Sequence, residues 1–234
     1  LPESRVKKML GKFVDIHPHT IYEKTKIILE HFMNHISNKI NGKSRGMVVT
    51  RSRLHCVKFK LEFDKQMKEM NLPYKCLVGF SGTVHDEDSG IDYTESSLNK
   101  FPSNQIEVNF KDLEYRILIV NNKFQTGFDE PLLHTMYVDK RLSGLQCVQT
   151  LSRLNRTMRG KNDTFVLDFV NEPDMIRDSF KGYYEGTILS EETDPNKLYF
   201  IEQEVKKFNL FTDDLVEKFV DIFYKKDIPL EHLQ

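Results

Sequence analysis

Four apolar residues in succession, Ile117-Leu118-Ile119-Val120, leave neither side of a strand for water. So short a run, followed at once by the turn-forming stretch Phe124-Gln125-Thr126-Gly127-Phe128-Asp129-Glu130-Pro131, reads as a strand buried on both faces. Such a strand belongs in a parallel sheet with helices above and below it. Similar short runs stand at Gly46–Thr50, Lys75–Phe80, Thr135–Val138 and Thr164–Phe169. Helical patterns fall between them. Ile28, Phe32, Ile36 and Ile40 recur at helical spacing behind a capping box at Thr20 and Glu23, and Asn41-Gly42 closes that helix. Ser52 to Met70 carries the stripes Leu54, Val57, Leu61 and Phe59, Phe63, Met67, and a short helix follows around Ser103 to Lys111. The polar stretch Ser81 to Asn99 is expected to be a surface loop. The fold class is therefore α/β, a parallel sheet flanked by helices.

Gln146 to Arg156 is expected to be a helix with an unusual face. At about 100° per residue, Gln146, Gln149, Arg153 and Arg156 line one side, while Cys147, Val148, Leu151 and Leu154 line the other. Two guanidinium groups a turn apart, beside two amides, suit phosphate oxygens. Thr50-Arg51-Ser52 follows one strand and opens a helix, where hydroxyls and amides can hold a phosphate. Phe80-Ser81-Gly82 ends the next strand, and with the Gly127–Asp129 turn these loops are expected at the carboxyl ends of strands.

Thr126-Gly127-Phe128-Asp129-Glu130-Pro131 followed by Gln149-Thr150-Leu151-Ser152-Arg153-Leu154-Asn155-Arg156 resembles motifs V and VI of superfamily-two helicases and translocases. The wording is most similar to the R (motor and restriction) subunit of type I restriction enzymes. The resemblance covers roughly residues 17 to 200. It implies the second RecA-like motor lobe over residues 17–171, after a lead-in at 1–16 and before a helical C-terminal extension at 172–234. It further implies that Arg156 is an arginine finger with Arg153 as its companion, and that Gln149, Gly127 and Asp129 serve ATP. Thr50 and Arg51 of motif IV, Ser81 and Gly82, and Gln125 and Thr126 would face the DNA backbone. Ser152 and Asn155 stand where the common helicase form has glycines.

Composition sets the outer bounds. A net charge of −1 over 234 residues demands neither a nucleic-acid nor a membrane partner, so any DNA-contacting face must be local. Cys56, Cys76 and Cys147 are an odd, scattered set, which argues against a disulfide framework or a zinc site and suits the cytoplasm. No run is apolar for long enough to span a bilayer, and the chain, opening on Leu1, reads as a piece of something longer. Metal-site imitations are set aside. Asp15-Ile16-His17-Pro18-His19 has no third ligand nearby, and Pro173-Asp174 with Glu204-Val205-Lys206 lies in helical rather than strand sequence. His85-Asp86-Glu87-Asp88 reads as a solvated loop.

The sequence contains no G-x-x-x-x-G-K-[ST] and no acidic box after a strand. By the resemblance, ATP and Mg²⁺ are held mainly by a first lobe, with the nuclease domain preceding it in the same subunit. The methylation and specificity subunits and double-stranded DNA are the further partners. The other readings are a lobe of another superfamily-two motor, such as a repair helicase, or a non-catalytic module that docks DNA or protein. The polypeptide by itself is expected neither to hydrolyse ATP nor to cut DNA. A phosphate-release assay on the purified chain checks this, and turnover above background that survives Arg156→Ala contradicts it.

Overall fold

The computed structural model describes residues 14–124 and 128–188, with side chains as far as Lys181. Gln125, Thr126 and Gly127 lie outside the described residues, as does the sequence beyond Ile188. The chain divides into two units, Leu1–Tyr184 and Glu185–Gln234, and the first carries the sheet.

In chain order its helices are α1 (Pro18–His31), α2 (Lys39–Gly42), α3 (Arg53–Glu69), α4 (Glu95–Asn99), α5 (Ile106–Asn109), α6 (Gly144–Leu151) and α7 (Pro173–Ile188). Its strands are β1 (Arg45–Thr50), β2 (Lys75–Gly79), β3 (Val84–Asp86), β4 (Ile91–Tyr93), β5 (Tyr115–Val120), β6 (Leu133–Asp139) and β7 (Phe165–Asp168). Five of them form a parallel sheet in the order β2-β5-β1-β6-β7. The fold is α/β, a parallel sheet with helices on its faces.

Strand alternation divides the core in two. Val48, Val78, Ile117, Ile119 and Tyr137 face α1 and α3, meeting Ile28, Phe32, Val57 and Phe63. Met47, Val49, Leu118, Val120, Met136 and Val138 point the other way, onto Ile106, Phe110, Cys147 and Leu151. Ile117 through Val120 are fully buried, which is why no polar residue interrupts that run. The three cysteines are free and buried. Among the described residues no helix is long and apolar enough to cross a membrane, and no cluster of ligating side chains could hold a metal ion.

Several expectations are corrected. Helix α1 starts at Pro18, not behind a Thr20 capping box, because the His17 side chain accepts from the His19 amide at 3.2 Å and proline at the first helical position lacks an amide anyway. The stripe through Ile40 is not one helix. A π-helical turn, Phe32–Ile36, follows α1, and inside the short α2 Ile40 and Asn41 stand at φ 52° and 54°. Arg116 of β5 secures this region by donating to the carbonyls of Ser37, Gly42 and Ser44 at 2.8, 2.9 and 2.6 Å.

The expected loop at Ser81–Asn99 instead contains the antiparallel hairpin β3–β4 and helix α4, opened by a Thr94–Ser97 capping box. Asn99 is buried, and its amide spans β2 at Val78, accepting from the Val78 amide at 2.9 Å and donating to its carbonyl at 2.8 Å.

Arg45, at the start of β1, is the largest fully buried side chain among the described residues. It meets the buried carboxylate of Glu130 at 2.7 Å, donates to the Lys111 carbonyl at 2.7 Å and lies over the Phe110 ring at 5.2 Å. Arg45→Met strands Glu130 in a low-dielectric interior. Urea unfolding of the chain is expected to show a loss of about 3 kcal/mol or more, part of it recovered when Glu130→Gln is added.

Candidate functional site

Helix α6 lasts eight residues and then tightens into a 3-10 turn, Ser152–Asn155, after which Arg156 is extended at φ −69° and ψ 125°. The single helical face expected from Gln146 to Arg156 is thus interrupted at Leu151. Nothing in Ser-Arg-Leu-Asn breaks the apolar rhythm, so the tightening leaves no trace in the pattern. Even so, Gln149, Ser152, Arg153 and Arg156 line one cavity of about 310 Å³ together with Leu145 and Val148. Gln146 is exposed and is not among the lining residues.

The segment that leads into β6 meets the two arginines of this cavity. Arg156 Nε meets Asp129 Oδ1 at 3.0 Å, with the two side chains 52% and 70% exposed. Arg153 Nη1 donates to the Phe128 carbonyl at 3.2 Å. Both guanidinium groups therefore converge on the Phe128–Asp129 segment, and Arg156 remains open to solvent. An exposed ion pair of this kind is weak and readily exchanged for a more highly charged partner.

A cation that the pattern did not announce fixes the backbone here. Lys161 donates to the carbonyls of Leu154, Leu133, Arg156 and Pro131 at 2.6, 2.7, 2.9 and 3.3 Å. Burial pulls its pKa below the usual lysine value, and the nearby Glu130 carboxylate pushes it back up. A lysine that acts on backbone carbonyls leaves no side-chain partner for a sequence pattern to reveal.

The remaining candidates gather elsewhere. Thr50 ends β1 and Arg51 follows it, Ser81 and Gly82 follow the carboxyl end of β2, whereas Asp129 lies shortly before the amino end of β6 at Leu133. The expectation of one common carboxyl edge is corrected for Asp129, since the chain passes from the end of β5 at Val120 to the start of β6 at Leu133 before the next strand begins. Thr50 is buried, and its hydroxyl donates to the Ser52 and Val120 carbonyls at 3.1 Å each, so it can offer a ligand backbone groups only. Arg51 is ion-paired with Asp15 and, at 2.7 Å, with the buried Asp139, which Lys24 also reaches at 2.8 Å. Ser81 and Gly82 are exposed, and Arg53 donates to the Ser81 carbonyl at 2.9 Å. Gly82 stands at φ 78°, a conformation that suits glycine.

Polar ties missed at the sequence level hold this edge. Asn121 donates to the Thr50 carbonyl at 2.8 Å, and its amide reaches the Gly79 carbonyl at 3.1 Å. Glu95 accepts from the Phe80 amide at 2.6 Å and from Lys123 at 2.7 Å. His55, beside Ser52, has its pKa lowered to about 4 by burial. Gly79 admits the Phe124 ring, since a Cβ there would lie 2.8 Å from it.

Fold and site together describe an α/β domain with two arginines, Arg153 half-buried and Arg156 exposed, at one end of its sheet. Residues 85–171 match the family of type I restriction enzyme subunit R domain 3. A type I restriction enzyme endonuclease subunit of Methanocaldococcus jannaschii is 31% identical over 162 residues, covering 64% of this chain and 15% of that relative. The corresponding HindI endonuclease subunit of Haemophilus influenzae is 29% identical over 125 residues, covering 50% and 12%. These likenesses support the chain as part of a type I restriction enzyme R subunit, and it spans about 15% of the length of the first of these relatives. Among solved structures, the C-terminal part of the Fun30 ATPase domain overlaps at a TM-score of 0.40 and 10% identity, covering 68% of this chain and 44% of that one.

Because the Asp129–Arg156 pair is exposed, Asp129→Asn is expected to lower stability by less than about 1 kcal/mol. Thermal or urea unfolding checks this, and a larger loss would make the pair a structural tie.

Proposed function

We propose that this chain is the second motor lobe of an ATP-dependent double-stranded DNA translocase within a type I restriction endonuclease. One observation carries the reading: Arg153, Arg156 and Gln149 line one open cavity together, and Arg156 pairs with the exposed Asp129. ATP and Mg²⁺ would be held mainly by a first lobe of the same subunit. Phosphoryl transfer spreads negative charge over the γ-phosphate oxygens, so an inserted guanidinium lowers the barrier. In this reading Arg156 exchanges its Asp129 carboxylate for those oxygens, Arg153 stands beside it, and Gln149 orients the face. Asp129 keeps the guanidinium near its working place when no phosphate is present. By the resemblance, Gly127 would serve ATP as well.

The second part of the reading is contact with the DNA backbone from the carboxyl-edge loops. Arg51, Ser81 and Gly82, with backbone groups of Thr50, offer donors there, and Gln125 and Thr126 join them by the motif. Asn121 and Glu95 lock these loops to the strand ends, so the donors are held in fixed relation. The methylation and specificity subunits and the nuclease domain of the same subunit complete the assembly.

Arg156→Ala in the complete R subunit tests this. Hydrolysis is expected to fall about 10³-fold, with ATP binding retained. Unchanged turnover would instead favour a non-catalytic docking module. Duplex binding that ignores salt concentration would remove the phosphate-tracking role of the loops.

A further inference from the structure

Lys161 is absent from the mechanism just given, yet it is joined to both halves of the arginine cluster. Leu154 and Arg156, whose carbonyls it holds at 2.6 and 2.9 Å, lie within and just after the 3-10 turn. Leu133 and Pro131, held at 2.7 and 3.3 Å, belong to the segment that leaves Asp129 and becomes β6. An ammonium has three hydrogens, so three of these contacts saturate it and the longest shares a hydrogen. One charged centre therefore pins the two stretches of backbone whose side chains form the Asp129–Arg156 pair.

Arg156 needs such support because it lies outside the helix, in extended conformation. The loop that carries Lys161 is itself anchored. Gly160, at φ 82°, reverses the chain, and the Lys161 amide closes the turn on the Met158 carbonyl at 3.0 Å. Two residues on, Asp163 pairs with Lys39 at 2.6 Å and with the buried His134 at 2.9 Å. The ammonium is thus delivered by a loop fixed on both sides of it.

We propose that Lys161 is a positioning residue, setting the Arg156 guanidinium at the distance from Asp129 and the cavity that phosphate stabilisation requires. The proposal rests on the motor reading above. Lys161 touches no reacting atom; it acts through Arg156. A displacement of about 1 Å at a reacting centre costs roughly 10²-fold in rate. That is the expected loss in kcat for Lys161→Met in the complete R subunit, with KM for ATP little changed.

A double-variant cycle separates this from a general weakening of the fold. If Lys161 works through Arg156, Lys161→Met combined with Arg156→Ala is no slower than Arg156→Ala alone. Wild-type kcat in Lys161→Met while Arg156→Ala is impaired overturns the proposal and leaves the motor reading standing. So does a double variant slower by the product of the two single effects. Full turnover in Arg156→Ala removes the motor reading and this proposal with it. Should Lys161→Met fail to fold by circular dichroism, Lys161→Gln and Lys161→Arg keep donors at the position and carry the same cycle. Wild-type kcat in Lys161→Arg beside a loss in Lys161→Gln is the expected pair, and wild-type kcat in Lys161→Gln, which lacks the charge and one of the three hydrogens, would overturn the proposal equally.

Discussion

The buried pair between Arg45 and Glu130 is the constraint on which the rest of the lobe depends. Their side chains are 1% and 5% exposed, so the charges interact where water screens them little. The cost of desolvating them is offset only if most of the guanidinium donors are used. Lys111 supplies a carbonyl and Phe110 an aromatic face, although Arg45 Nε has no partner among the described residues. Through this one side chain the start of β1, the residues before β5 and the entry to β6 are fixed relative to one another. Asp129 adjoins Glu130, so the position of the exposed carboxylate is inherited from a buried one.

The candidate residues form two groups separated by the length of β6. Seven residues at about 3.3 Å each span roughly 20 Å. The cluster of Asp129 and Arg156 sits at the amino end, and Arg51 with Asp139 at the carboxyl end. A single phosphate group cannot bridge that distance, so in the motor reading the two ends serve different ligands. The strand between them is buried along its entire length, which makes it a stiff spacer between the two ends.

How much of this was legible in the sequence follows from how each residue is used. Ile117 to Val120 could be read because burial on both faces leaves an uninterrupted apolar run. Ser52 could be read as the cap of α3 because its hydroxyl does accept the His55 amide, at 3.2 Å. The β3–β4 hairpin and α4 could not, since Asp86 in the first and Glu95 and Asn99 in the second are buried through polar partners and look like surface residues. The end of α6 was hidden because a 3-10 turn keeps side chains on nearly the same faces for one more step. The arginines were legible as a pair, but not the backbone cation beneath them, whose partners are carbonyls that any residue could supply.

Asn99 has a consequence at the outer margin of the sheet. Its side-chain amide makes with Val78 the donor–acceptor pair that an incoming sixth strand would need. β2 is the terminal strand of the described sheet on that side, and at Val78 its hydrogen-bonding valence is already filled. A neighbouring polypeptide therefore finds no template there, and the lobe is guarded at this margin against the strand-by-strand accretion that exposed β-edges invite.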